Sequence, residues 1–380
     1  MEPADRDRLS AAGVLPAADV DLTTDDAAAE RVALIDLLVE WGATVEEMVE
    51  ACRTGDLPGL AGDLLVNPRG TSTLREIGER LDIPLADLEV AVRAQGLPVP
   101  DPDDRVMTED DERAMGLVVP GLELFPEEVA LQLLRVMGSS VARIAEACVA
   151  AYLDSVERVM KEGGRSELDM AMSVRDAVGT VDRVTDALGP MLTRHLHQAI
   201  WRSREARRGL TDFRTVRMAV GFVDLVGYTP LSRSLSTADL ADLVGTFEAA
   251  AYDTAATHDG RVVKLIGDEV MFVALDVEAA CQIALALVDH PRIRASGAAP
   301  RGGVAAGELL MRDGDYFGPV VNMASRVADL AVPLEVLATT AVNDVLVEAT
   351  SPIVVTPAGR RMLKGFDAPV ELVSIRPPAG

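Results

Sequence analysis

Two aspartates carry the most chemical information in this sequence. Asp224 stands in GFVDLVGYT, where an apolar strand runs out just before Gly227 and a helix start. A carboxylate there leaves the sheet at its edge, and the amides that follow, freed by Gly227 and Thr229, could face a polyphosphate at the positive end of the helix. Asp268 stands in VVKLIGDEVMFV, in a tight turn between two apolar runs, where Gly267 supplies the backbone freedom. Two strand-end carboxylates in one sheet could hold two hard divalent cations about 4 Å apart and clamp the attacking and leaving oxygens of a phosphoryl transfer. Each aspartate also has a plainer use, one as a helix cap and the other as a turn residue.

The elements that must position them follow from periodicity. After Gly209 the chain alternates in texture: residues 217–224 are β-rich, 232–257 helical, and 261–275 read as two strands about a Gly-Asp turn. A helix over 277–290, strands over 302–310, a helix over 320–330 and short strands near Leu334, Ile353 and Val370 complete the pattern. That alternation predicts a sheet with helices on one face, followed by a second set of strands.

Residues 26–172 read as an all-helical domain. Apolar residues from Val32 to Val39 recur at helical spacing, and prolines cut the stretch into short or medium helices. The first 25 residues, rich in Asp, Ala and Pro, are expected to form a mobile tail. A long connecting helix is expected over 174–208, kinked or divided at Gly189-Pro190. It ends in WRSREARRGL, where Arg202, Arg204, Arg207 and Arg208 suit a solvated helix C-terminus, or a connector that contacts acidic surfaces in one regulatory state.

Lys and Arg number 36 against 61 Asp and Glu, a net charge of −25 that repels phosphate backbones and argues against a nucleic-acid partner. Residues 73–96 have the rhythm of a helix-turn-helix, but the second helix carries Asp87, Glu89 and only Arg93, too acidic to lie in a DNA groove. The absence of an uninterrupted apolar run long enough for a membrane span, and a charged N-terminus, predict a soluble cytoplasmic protein. Cys52, Cys148 and Cys281 are odd in number and widely spaced, and are expected to be reduced core residues. Apolar and Met-rich helices in the first half would also suit a hydrophobic ligand, a lipid for example.

Residues of about 212–377 resemble the catalytic domain of a class III nucleotidyl cyclase of the bacterial adenylyl cyclase type. The resemblance rests on Phe222 to Thr229 around Asp224, on Lys264 to Asp268, and on DYFGPVVNMASR with Asp315, Asn322 and Arg326. RGGVAAG and LKGFDAPVEL occupy the expected strand positions, and the GG[DE]EF signature of diguanylate cyclases is absent. The resemblance implies a ferredoxin-like βαββαβ catalytic domain of the α+β class over 210–380, behind the helical regulatory domain and a linker over 173–209. It implies conversion of ATP to 3′,5′-cyclic AMP and pyrophosphate, with Asp224 and Asp268 holding two divalent cations, Mg²⁺ or Mn²⁺. Lys264 and Asp315 would read adenine, Asn322 would orient the ribose, and Arg326 would stabilise charge on the phosphorane. Further substrate contacts are implied at Phe222, Gly227 and Thr229.

In this family the residues of one site come from two protomers, so the resemblance implies a head-to-tail homodimer. Two departures stand out. Glu269 follows the second aspartate where a small or apolar residue is common, and the segment 307–315 is short, leaving Arg312 and Lys364 as candidates for the phosphate grip. The whole arrangement is also similar to autoinhibited, acid-responsive mycobacterial-type adenylyl cyclases. Histidine is the side chain suited to a switch near physiological pH, which makes His195 and His197, on the connecting helix, candidate regulatory residues.

Overall fold

The computed structural model describes residues 2–378 except 18–19, 67–68, 123, 213 and 228–234, and Thr229 therefore lies outside the described residues. The chain divides into two compact units, Met1–Leu192 and Thr193–Gly380.

The first unit is helical: α1 (Pro3–Ala11), α2 (Asp26–Glu40), α3 (Val45–Thr54), α4 (Leu57–Val66), α5 (Leu74–Leu81), α6 (Leu85–Ala94), α7 (Glu109–Leu122), α8 (Glu127–Tyr152) and α9 (Arg158–Glu162), then the start of α10 (Glu167–Ala206). Local chemistry sets the helix ends. Thr44 with Glu47 and Thr73 with Glu76 form reciprocal capping boxes, and Asp25 accepts the amide of Ala28.

Several expectations need correction here. The N-terminal residues are not a free tail: Leu9, Val14 and Leu15 are buried with Leu34, Ile35 and Leu38 of α2, because three apolar side chains suffice to dock one short helix. Nor does Pro190 divide α10, which runs unbroken for 40 residues. The surrounding residues are exposed, so water can serve the carbonyl that loses its amide donor. Only Cys281 is a buried thiol; Cys52 is half-buried and accepts from the Arg31 guanidinium, while Cys148 is exposed. Glu127–Glu162 is one helical stretch long and apolar enough to cross a membrane by length and composition, with a mean hydropathy of 1.3 in its best window. Arg135, Arg143 and Glu146 keep it from being an uninterrupted apolar run.

The second unit is built on one sheet: β1 (Thr215–Val226), β2 (Arg261–Ile266), β3 (Glu269–Ala274), β4 (Ala299–Arg312), β5 (Asp315–Phe317), β6 (Val336–Thr339), β7 (Val354–Arg361) and β8 (Val370–Arg376). The helices are α11 (Thr237–Thr257), α12 (Val277–Val288), α13 (Pro291–Ala295), α14 (Pro319–Leu330) and α15 (Thr340–Glu348). The strand order is β2-β3-β1-β4-β6-β8-β7, with β5 pairing β4. The first four strands give the antiparallel ferredoxin-like βαββαβ core. The later strands extend that same sheet through the parallel β4–β6 pair rather than forming a second one.

Side-chain alternation on β1 shows that both faces are covered. Ala219, Val223 and Leu225 pack with α11, α12 and α15, whereas Val216, Met218, Val220 and Phe222 pack with α14 and with Ala206 at the end of α10. Helices therefore lie on both faces and not on one. Close packing of α14 depends on Gly303 of β4, where an added Cβ would sit 2.2 Å from the Ala328 nitrogen.

Candidate active site

Asp224 shares the β1 parity of Val220 and Phe222, so it projects to the α14 face, and it sits two positions from the strand end, where that face opens. Gly227 follows at φ 77°, a left-handed turn that a side chain would strain. In the sheet register Asp224 lies between Glu269 on β3 and Arg301 on β4. The carbonyl of Asp268, in the β2–β3 turn, accepts the Leu225 amide at 3.2 Å, which fixes that turn against the end of β1. The two aspartates are thus brought side by side.

Charge accumulates around them. Burial and then neighbouring Asp224 push the Asp268 carboxyl up from its ordinary value. Glu269 is pushed further, to about 7, by burial first and then by Asp224, Asp329 and Asp268. Among the described residues, Arg301 opposes this cluster. Arg301 grips Asp224 through both carboxylate oxygens, Nε to Oδ1 at 2.8 Å and Nη2 to Oδ2 at 2.9 Å, and both side chains are about one-fifth exposed. Its remaining nitrogen donates to the carbonyls of Asp329 and Ala331. The Asp224 hydrogen bonds raise the guanidinium above its ordinary value.

The donor set suits a hard divalent cation, because it offers carboxylate oxygens and excess negative charge. Among the described residues no group of three or more His, Cys, Asp or Glu forms a metal cage. A cation at Asp224 and Asp268 would therefore need oxygens from water or phosphates, the arrangement Mg²⁺ commonly takes.

A second cluster forms where β4 turns back into β5. Lys264 Nζ lies 2.6 Å from Asp315 Oδ2 and 5.8 Å from the Phe317 ring centroid. The other Asp315 oxygen accepts the Tyr316 amide at 2.7 Å. An ammonium and a carboxylate held this way offer one donor and one acceptor edge side by side.

Asn322 and Arg326 lie one turn apart on α14, Asn322 exposed and Arg326 paired to Asp329 at 3.0 Å. Asp329 also lies 3.8 Å from Arg301, so Asp224, Arg301, Asp329 and Arg326 form a continuous charged chain. Arg301 and Asp329 escaped the sequence reading. The signal for Arg301 was its position at the head of the RGGVAAG strand, but only register shows that it faces Asp224.

Other expected residues fall differently. Phe222 is 4% exposed, and its ring belongs to the sheet core, because its parity on β1 turns it under α14. Arg312 is exposed at the β4 end and paired with Asp313, opposite Asp315 in the hairpin register. Lys364 is exposed in the β7–β8 turn, next to buried Leu363. His195 and His197 are both exposed on α10. In the terminal arginine cluster Arg208 pairs with Glu205 and Arg207 bonds to Ser203, whereas Arg202 is half-buried against the catalytic sheet. Arg202 faces another arginine there and not an acidic surface.

Comparison with known proteins assigns the two halves. Residues 20–202 match the adenylate cyclase regulatory domain, and residues 212–374 match the adenylate and guanylate cyclase catalytic domain. An uncharacterized protein of Mycobacterium tuberculosis is 37% identical over 344 residues, spanning 90% of this chain and 89% of its own. A pH-sensitive adenylate cyclase of the same species is 34% identical over 376 residues, 92% of this chain and 89% of its own. An adenylate cyclase of Glutamicibacter nicotianae is 33% identical over 278 residues, 69% of this chain and 68% of its own. The chain therefore belongs to the adenylate cyclase family, an enzyme whose cyclase catalytic domain follows an adenylate cyclase regulatory domain.

Proposed function

We propose that this enzyme converts ATP to 3′,5′-cyclic AMP and pyrophosphate by in-line attack of the ribose 3′-hydroxyl on the α-phosphorus, at composite sites of a head-to-tail homodimer. The observation that carries the reading is the placing of Asp224 beside the Asp268 turn, with the Lys264–Asp315 pair on a neighbouring edge. Asp224 and Asp268 would hold two divalent cations, Mg²⁺ or Mn²⁺, whose chemistry when bound is to acidify the 3′-hydroxyl and neutralise triphosphate charge.

The chain's own side chains supply the rest. Lys264 donates to adenine N1 and Asp315 accepts from the exocyclic amine; guanine, with a carbonyl and a protonated N1 there, would meet donor with donor and acceptor with acceptor. Asn322 orients the ribose. Arg326, a forked permanent cation, leaves Asp329 to meet charge on the equatorial oxygens. Arg312 and Lys364 remain the candidates for the terminal phosphates, both exposed, with Arg312 exchanging its Asp313 partner for phosphate.

Residues 26–172 act as the regulatory domain, 173–209 as linker and 210–380 as catalytic domain. The regulatory half inhibits, and His195 and His197 carry an acid response, a reading supported by the pH-sensitive relative. The decisive experiment is product analysis with ATP and GTP in Mn²⁺ for the Asp224→Ala, Asp268→Ala double variant, with folding and association checked. Cyclic AMP formation that persists would defeat the reading. Comparison of the full chain with a fragment beginning near Gly209 sets the sign of regulation.

A second reading of the helical half rests on an open groove of about 340 Å³ with an apolar wall of Val90, Val119, Phe125, Leu131 and Leu134 and with Asp87 and Glu127 also lining it, which would suit a ligand with an apolar body. Lipid extraction from the purified protein followed by mass spectrometry tests it.

A further inference from the structure

The end of α10 lies over the sheet and leaves a cavity of about 140 Å³ beneath Ala199, Arg202, Ser203 and Ala206. Its floor is apolar, made by Val216, Met218 and Met311, the first two buried. Two guanidinium groups enter it, Arg202 from the helix and Arg261 from the start of β2. Neither has a carboxylate partner among the described residues: Arg261 donates to the Gly314 carbonyl at 2.9 Å and stacks 5.4 Å from the Tyr316 ring centroid. Among the described residues, no acidic side chain lines the cavity. Burial, and then the charge of Arg261, lower the Arg202 guanidinium from its ordinary value. Two like charges facing one small space at the edge of a core are costly unless something negative lies between them.

We propose that this cavity binds a small carboxylate with a short apolar stem, its oxygens between Arg202 and Arg261 and its carbons on Val216, Met218 and Met311. A forked cation matches a carboxylate through paired N–H donors, and two forks exceed what a neutral ligand could use. The volume sets the size: a cavity of about 150 Å³ holds a benzene ring, so a stem of three to six carbons fits and a long acyl chain does not. Free inorganic phosphate shares the charge but leaves the apolar floor without a partner.

Position gives the site a consequence. Arg261 also holds Gly314, and Gly314 precedes Asp315, half of the Lys264–Asp315 pair. A carboxylate joining Arg202 to Arg261 therefore ties the connector to the hairpin that would read the base, and its occupancy changes nucleotide KM.

The test uses the full chain and butyrate, with 1-butanol and inorganic phosphate as controls. Saturable butyrate binding by calorimetry is expected, with no binding of butanol and weaker binding of phosphate. Arg202→Gln and Arg261→Gln should each weaken butyrate at least tenfold, and Arg202→Lys, which keeps the charge but loses the fork, by less. Saturating butyrate should move the KM for ATP threefold or more. Binding is measured without nucleotide, so it stands or falls apart from the cyclase chemistry, on which the KM effect rests. Absent or non-saturable butyrate binding, binding indifferent to Arg202→Gln in a variant with unchanged thermal unfolding, or phosphate binding tighter than butyrate overturns the site. An unmoved KM with butyrate bound overturns its coupling to the hairpin.

Discussion

Replacing Glu269 by Gln should stabilise the metal-free enzyme, and more so as the pH rises. Glu269 is raised from 4.5 to about 7 by burial and by three neighbouring carboxylates, against the charge of Arg301. A carboxyl whose folded value lies above its unfolded value binds more protons when folded. Stability therefore falls as pH climbs from about 4.5 to about 7, and is flat beyond. At about 1.4 kcal/mol per pH unit this caps the penalty near 3 kcal/mol. The side chain is only partly buried, so solvent screening leaves about 1–2 kcal/mol. Gln cannot ionise and escapes the penalty. In a unit of this size that is a rise of about 3–6 °C in the catalytic transition at pH 8, shrinking toward zero at pH 5. Thermal unfolding of both proteins in chelator at pH 5, 6, 7 and 8 measures it. A gap that is constant with pH, or that widens in acid, refutes the electrostatic account of this cluster.

Truncating Arg301 to Ala leaves Asp224 uncompensated beside Asp268 and Glu269, and should cost about 2–4 kcal/mol at pH 8, less in acid, by the same unfolding assay. Asp315→Ala should lower kcat/KM for ATP by one to two orders of magnitude, mostly through KM, and narrow the preference for ATP over GTP in steady-state kinetics. Gly303→Ala drives a methyl into the Ala328 backbone and should cost about 2–3 kcal/mol, with α14 and its Asn322 and Arg326 displaced; retained activity without a shift in unfolding would contradict the close packing. Exchanging His195 and His197 together for Ala should flatten the pH–activity curve of the full chain while leaving the rate of a fragment starting near Gly209 unchanged.

Much of the catalytic half was legible because its signals are local. Alternation across β1, the Gly-Asp turn and the capped helices each depend on a few consecutive residues, and the motif residues sit at their ends. What the sequence hid depends on registers that join distant segments. Arg301 meets Asp224 across 77 positions, and nothing near either residue shows the pairing. The place of Phe222 is hidden for a related reason: it lies in a motif beside Asp224, but strand parity sends its ring into the core. Arg202 suits a solvated helix end or a connector to acidic surfaces by sequence, whereas the sheet beneath α10 half-buries it beside Arg261. Docking of the N-terminal residues is hidden because Leu9 of α1, and Val14 and Leu15 just after it, stand in a stretch rich in charge that reads as a tail.

The run of opposite charges from β1 to α14 bears on how a paired enzyme would turn over. Asp224 would serve one composite site of the dimer and Arg326 the other. Loading the first site would pull Asp224 from Arg301, the freed guanidinium would swing its attraction to Asp329, and Arg326 would loosen toward the second nucleotide. Each half of the pair would thereby prime its twin, and substrate saturation curves would rise more steeply than independent catalysts allow.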